Sequence, residues 1–217
     1  MSVKGNSVYN FIIEQIKKGE IVPGQTLTER GIANEIGVSR TPIREAFKKL
    51  TEQGLMEYEP HKGVKVTFYS KVKIENLYEV RELLEGLAVR RLAKEHTDED
   101  ISILERYIEE AEIEVEKGSL IKLPDINSEF HNTLARLSGN HFLLEIMNEL
   151  YMQLSLLMSQ SLSNKGRPIE NIQEHKMIIN AIKSGDMDLA EETAKFHVRK
   201  SRDNMLKRIK EDNSDGI

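Results

Sequence analysis

The segment LTERGIANEIGVSRTPIREAFKKLTEQGLMEYEPHKGVKV, residues 27–66, confines the chain more than any other: its caps, breakers and periodicities leave room only for two short helices, a tight turn and a hairpin. Thr28 is placed to cap a first helix with Ile32, Ala33 and Ile36 on one face, and Gly37 breaks it. Ser39 or Thr41 caps a second helix, in which Pro42 stands so early that its missing N–H costs little. Ile43, Ala46, Phe47 and Leu50 recur at three- and four-residue steps and so face a core, leaving Arg40, Arg44, Lys48 and Lys49 on a cationic outer side. After Gly54, residues 55–58 and 64–68 read as two strands joined through Glu59, Pro60, His61, Lys62 and Gly63.

A helix with such a face fits the major groove of DNA. Guanidinium groups reach guanine edges bidentately there, and hydroxyls and helix N-termini hold phosphate. A single exposed arginine is ordinarily just solvated surface. Cap, turn, core stripe and wing in unbroken order shift that balance toward DNA contact. The run VSRTPIREAFKKL, followed by GL and by the glycine and valine of the second strand, resembles the DNA-binding domain of the GntR family of bacterial transcription regulators. The resemblance covers residues 8–66, including an upstream helix and the stretch PGQTLTE. It implies a winged helix-turn-helix in which Arg30, Ser39, Arg40, Thr41 and Arg44, with His61, Lys62 and Gly63 of the wing, contact DNA. In that family the wing tip approaches the minor groove, where a glycine permits close backbone approach. His61 reads equally well as a solvated loop residue.

A net charge of −5 is unusual for a nucleic-acid binder until the chain is divided. Residues 1–70 carry +2 and residues 71–217 carry −7, so the acid lies behind the DNA-reading segment. With so small a positive excess a single copy binds phosphates weakly. A homodimer engaging the two half-sites of a palindrome is the expected remedy. The chain has no cysteine, which removes disulfides and thiolate metal sites and agrees with a reducing cytoplasm. No run of about 18 apolar residues is present, so neither membrane spanning nor secretion is supported.

From Lys71 onward helical periodicity takes over, and an all-helical bundle over 71–217 is expected. Leu77, Val80, Leu84, Leu87, Ala88 and Leu92 form the inward stripe of its first helix. Thr97 with Asp100 is a capping box for the second, which Lys117, Gly118 and Ser119 end. Further helices are expected over about 123–137, 140–163, 168–183 and 186–210, separated by Gly139, the stretch 163–166 and Gly185, with a frayed end from Glu211. Leu143, Ile146, Met147, Leu150, Leu154, Leu157 and Met158 supply core. Glu109, Glu110, Glu112, Glu114 and Glu116 form a solvated face.

Three histidines stand on apolar helix faces: His131 with Leu134 and Ala135, His175 with Ile178, Ile179 and Ile182, and His197 with Ala190, Ala194 and Val198. One such histidine is usually a hydrogen-bonded core residue. Three on separate helices suit a divalent transition metal, and Asn127, one turn before His131, is a plausible fourth ligand. The stretches NSEFHNTLARLSGN and EHKMIINAIKSGDMDLAEETAKFH resemble the ligand-binding FCD domain of the FadR-like branch of the GntR family. The resemblance implies a metal held by Asn127, His131, His175 and His197, commonly zinc, with nickel or manganese as alternatives. An asparagine where an aspartate is commoner leaves the site more positive and favours a small organic acid completing the coordination shell. Arg81, in YEVRELLEGLAV, matches a branch arginine able to clamp a carboxylate, although pairing with Glu85 one turn on at the surface reads as well.

The expected protein is thus mostly α: a winged helix-turn-helix over 1–70 and an FCD-like effector-binding and dimerisation bundle over 71–217. It is expected to act as a dimeric transcription regulator, a repressor, modulated by a small carboxylate at a metal. A metal-dependent hydrolase or lyase behind a DNA-binding head competes with this reading, as do purely structural histidines in a bundle that only dimerises the heads. No glutamate near the histidines is obviously set as a general base; Glu174, adjacent to His175, is assigned to a different helix face.

Overall fold

Ser2 opens the first helix, α1 (Val3–Lys18), by accepting a hydrogen bond from the Gly5 amide, and Gly19 closes it in the left-handed conformation. The computed structural model describes residues 1–60, 62–161 and 166–214, except for the side chains of residues 17, 155–161 and 208–214. His61 and the interhelical stretch 162–165 lie outside that description. The chain divides into two units, Met1–Ser70 and Lys71–Ile217.

In the first unit α1 is followed by β1 (Thr26–Leu27), α2 (Glu29–Ile36), α3 (Arg40–Glu52), β2 (Met56–Glu59) and β3 (Gly63–Val66). The Thr28 hydroxyl accepts from the Gly31 amide, and Gly37 ends α2 in the left-handed conformation. Ser39 is the N-cap of α3 but makes no side-chain cap bond. Val8 and Ile12 of α1, Ile32 of α2, and Ile43, Ala46, Phe47 and Leu50 of α3 close over Leu55, Met56, Val64 and Val66 as one apolar core. Lys49 is half-buried rather than outward, its ammonium 4.4 Å from the centre of the Tyr9 ring.

The wing has three strands, not two, in the order β1-β3-β2 with both pairs antiparallel. Two residues are too few to show strand alternation, which is why β1 left no periodic signal. Gly63 has φ +121°, and a Cβ there would stand 2.2 Å from the Leu27 carbonyl oxygen. The close approach this glycine permits within the chain is therefore to β1. Gly63→Ala combines backbone strain with that collision, and is expected to destabilise the unit by about 2 kcal/mol or more. Thermal unfolding followed by circular dichroism checks this; a change under about 0.5 kcal/mol would mean the wing relaxes freely.

The elements of the second unit, among its described residues, are all helices: α4 (Lys71–Lys94), α5 (Asp98–Glu116), α6 (Leu123–Leu137), α7 (His141–Ser161), α8 (Arg167–Ser184) and α9 (Met187–Ser214). Thr97 and Asp100 form the expected capping box, and α9 continues through Ser214 where fraying was expected from Glu211. Val89, Leu92, Leu104, Phe130, Leu134, Ile178, Ile182, Ala190 and Ala194 belong to one continuous core. Gly86 lies where α4 meets α9, with the stems of Glu191 and Lys195 only 3.0–3.2 Å from where a Cβ would be.

The inner face of α4 departs from the apolar stripe. Val80 and Leu87 are exposed, Leu77 and Leu84 half-buried, and the face turned inward carries Ile74, Tyr78, Arg81, Glu85, Ala88, Val89 and Leu92. Two charged residues in the middle of that face shift the apolar periodicity away from the true core side. On α7, Leu143, Met147, Leu150 and Leu154 are buried but Ile146 is exposed; the side chains of Leu157 and Met158 lie outside the described residues. Glu114 is the exception on the acidic face of α5, buried and paired with Lys117 and Lys122.

Candidate functional site

In the first unit, α3 presents Arg40, Thr41, Arg44 and Lys48 to solvent, with Arg30 exposed on α2, Ser39 exposed at the turn and Lys62 exposed in the wing. Arg30 and Arg40 have no ion-pair partner among the described residues. Arg44 does: its Nε donates to Glu29 Oε1 at 2.7 Å, which leaves both terminal nitrogens of the fork available. Between α3 and the wing runs a groove walled by Phe47, Thr51, Tyr58 and Val64, with Arg44 and Lys48 at its rim.

In the second unit five helices converge on one buried cluster. Arg81 and Glu85 come from α4, Asn127 and His131 from α6, Tyr151 from α7, Arg167, Glu174 and His175 from α8, and His197 and Ser201 from α9. One ring nitrogen from each of His131, His175 and His197 lies within 4.8 Å of the other two. The Phe130 ring stacks on His175 with centroids 4.1 Å apart and fixes that imidazole against α6. Sequence reasoning singled out the three histidines and Arg81, which the structure brings together, but missed Glu85, Arg167 and Glu174 beside them.

Those charges assign the ring protons. Arg81 is always a donor, so the contact of its Nη2 with His131 Nε2 at 3.2 Å makes Nε2 the acceptor. The His131 proton then sits on Nδ1, 3.0 Å from Glu85 Oε2 at ion-pair distance, though poorly aligned for a hydrogen bond. His197 Nδ1 lies 2.7 Å from Glu174 Oε2 and donates to it, while Arg167 grips the same carboxylate with Nη1 and Nη2 at 2.6 and 2.8 Å. Both Nε2 atoms are thereby left as acceptors, and they face each other across 3.3 Å. His175 Nε2 and Asn127 Oδ1 are also buried without a hydrogen-bond partner. Asn127 and His175 share the wall of a cavity of about 10 Å³, roughly the room of one water.

His175 Nε2 and Asn127 Oδ1 are buried without a partner, and His197 Nε2 faces another acceptor rather than a donor; groups of this kind are satisfied by a cation. A proton is a poor candidate. Burial lowers His131 to about 4 despite the opposing pull of Glu85; burial, then His197 and His131, drive His175 well below its ordinary value; and burial lowers His197 against the hydrogen bond it donates to Glu174. Neutral imidazoles of this kind are what a transition metal requires, so His131, His175 and His197 can hold a metal ion. Burial alone would raise the carboxylates, but hydrogen bonds from His197 and Arg167 hold Glu174 at about 2, and Arg81, then His131, keep Glu85 well below the usual range.

These shifts fix how stability without metal responds to acid. The unfolded chain takes up protons on its histidines below about pH 6.5, where the folded core still refuses them. The stability they confer is complete above that pH and is lost down to about 4 for His131; Glu174 adds a further loss from about pH 4 towards 2. The melting temperature of metal-free protein is therefore expected to fall from pH 7 to pH 5. A flat profile over that interval would contradict neutral buried imidazoles.

Arg81 is 0% and Glu85 1% exposed, so their pairing one turn apart is real but belongs to the core. Glu174 is not turned away from the site either. Neighbours on a helix differ by only about 100°, and a wide buried face admits both Glu174 and His175. Arg167, seven residues before Glu174, lies on the same helix face and was the signal available for this pair.

Two family models match the chain: that for bacterial regulatory proteins of the gntR family over residues 4–66 and that for the FCD domain over residues 76–200. The chain is 29% identical over 191 residues to the uncharacterized HTH-type transcriptional regulator YdhC of Bacillus subtilis, covering 88% of this chain and 84% of that one. It is 30% identical over 197 residues to the probable D-xylose utilization operon transcriptional repressor of Paenarthrobacter nicotinovorans, covering 89% and 84%. Among solved structures, E. coli McbR/YncC has the same fold, with a TM-score of 0.79 at 21% identity over 96% of this chain and 100% of that one. No helix among the described residues is long and apolar enough to cross a membrane. The likeness is to transcriptional regulators at both ends of the chain, which removes the hydrolase or lyase alternative. From its DNA-reading head to its helical FCD domain, the chain belongs to the gntR family of bacterial transcriptional regulators and is not an enzyme.

Proposed function

We propose that this regulator is a metal-containing, effector-controlled repressor that binds a palindromic operator as a homodimer in the cytoplasm. Residues 1–70 read DNA, and residues 71–217 bind the effector and dimerise. Arg30, Ser39, Arg40, Thr41, Arg44, Lys62 and Gly63, together with His61, form the DNA-contacting set. A divalent transition metal, zinc in the first instance and nickel or manganese otherwise, is held by Asn127, His131, His175 and His197. Bound there it offers a Lewis-acidic position to a small carboxylate, with Arg81 as the second grip on that anion. The observation that carries this reading is that His197 Nε2 faces another acceptor while His175 Nε2 and Asn127 Oδ1 are buried without a partner, beside a buried guanidinium.

Dimer formation draws support from Val80, Leu83 and Leu87, which leave an exposed apolar ridge along α4. An effector that lowers operator occupancy a hundredfold needs about 2.7 kcal/mol of differential affinity, within reach of one carboxylate at a cation and a guanidinium. His197→Ala is expected to remove most of the metal found by elemental analysis of the purified protein while the helical content is kept. Genome-wide footprinting of the wild type is expected to recover palindromic sites. A wild-type protein purified without metal, whose melting temperature ignores added zinc and nickel, would overturn the metal reading.

A further inference from the structure

The position of Arg81 carries a consequence for the order in which ligands enter. Its Nε donates to Glu85, its Nη1 lies 3.5 Å from Ser201 Oγ, and its Nη2 donates to His131 Nε2 at 3.2 Å. The Tyr78 ring lies beneath the guanidinium, 5.3 Å from its central carbon. Each of its three nitrogens already faces a partner, and the side chain is wholly buried. With Nη1 turned to Ser201 and Nη2 to His131, gripping a carboxylate with both means leaving at least one of these partners. His131 has no free lone pair for a cation, because Arg81 occupies it.

We infer that Arg81 is a placeholder: it stands where a cation would meet His131, and it becomes free to grip a carboxylate only after giving up that lone pair. The inference rests on the metal reading above and adds to it a gate and a sequence, metal first and anion second. The hydrogen bond from Arg81 Nη2 to His131 Nε2 is the one contact that must break, because the Nε bond to Glu85 anchors the base of the guanidinium and occupies none of the ligand atoms. Once Nη2 lets go, it and the weakly held Nη1 form the pair that matches the two oxygens of a carboxylate. The two ligands are therefore positively coupled, each favouring the arrangement the other needs. Arg81 is a positioning residue for the metal and a binding residue for the anion.

The test uses the full-length chain stripped of metal and two variants, Arg81→Met and the charge-balanced double variant Arg81→Met with Glu85→Gln. The double variant guards against an unpaired buried carboxylate and keeps an acceptor for His131 Nδ1. Zinc affinity is read by competition with a chelating dye, and folding by circular dichroism. Both variants are expected to bind zinc about tenfold tighter than wild type, the order set by losing one competing charge-assisted hydrogen bond. Succinate, as the carboxylate probe, is expected to raise the melting temperature of wild type only when zinc is present, and not to raise that of either variant. Zinc affinity equal to or weaker than wild type in the folded double variant would overturn the placeholder while leaving the metal reading standing, as would a succinate shift of equal size without zinc. Failure of zinc to bind any of the three proteins would overturn both.

Discussion

Arg44→Ala is expected to abolish measurable operator binding while leaving the fold and the dimer unchanged. A bidentate contact from arginine to a guanine edge contributes about 1–3 kcal/mol, and a homodimer loses it at both half-sites, so the combined loss is about a hundredfold or more. The structural cost is small. Arg44 is exposed and its Glu29 partner half-buried, so losing this surface ion pair is of little consequence for stability. Fluorescence anisotropy on an operator recovered by footprinting, repeated at several salt concentrations, separates readout from simple phosphate attraction. Loss of a phosphate contact weakens all sequences alike and flattens the salt slope, whereas loss of base readout removes discrimination between operator and random DNA. Binding unchanged at every salt concentration would remove Arg44 from the DNA-reading set.

Glu85→Ala is expected to be the most destabilising single change in the bundle, by about 3–5 kcal/mol. It strips the counter-charge from a fully buried arginine and the acceptor from His131 Nδ1 at once. The size of the loss reflects Arg81 left uncompensated in a dry interior rather than the strength of the pair itself. Removing both charges with Arg81→Met and Glu85→Gln should therefore cost less than Glu85→Ala alone. Urea unfolding of the full chain, followed by far-ultraviolet circular dichroism at pH 7, measures both. A loss below about 1 kcal/mol in Glu85→Ala would show that water reaches this core.

The elements with local chemical signatures were legible in the sequence. Thr28, Gly37 and the Thr97–Asp100 capping box each act within a single turn, and the chain order alone locates them. The three histidines were legible for the same reason: each stands in an apolar stripe, and polar residues out of place mark themselves. What escaped were features whose meaning depends on a distant partner. Whether Arg81 and Glu85 pair at the surface or in the core stayed open in the sequence because a burial decision for a charged pair is made by α6 and α9, which supply His131 and Ser201 far along the chain. The α4 stripe was misassigned by the same mechanism, since hydrophobic periodicity assigns inward faces by counting apolar residues and this inward face holds an ion pair. Glu174 became an outer brace of His197 only through α8 and α9 packing together. Asn127 was singled out by its spacing, and its unpartnered oxygen beside His175 gives that choice physical content.

The two-residue strand β1 has a mechanical corollary. Its register with β3 pairs Thr26 with Lys65 and Leu27 with Val64, and the next residue, Thr28, is the cap from which α2 starts. The Gly24 amide and the Gln25 carbonyl extend the tie, each bonding to Val66. The hairpin is thus welded to the base of the helix pair, and a push at its tip is delivered directly to the root of α2. Anyone exchanging wings between such readers would have to transplant residues 22–67 as one cassette; the hairpin alone would arrive without its hinge pin.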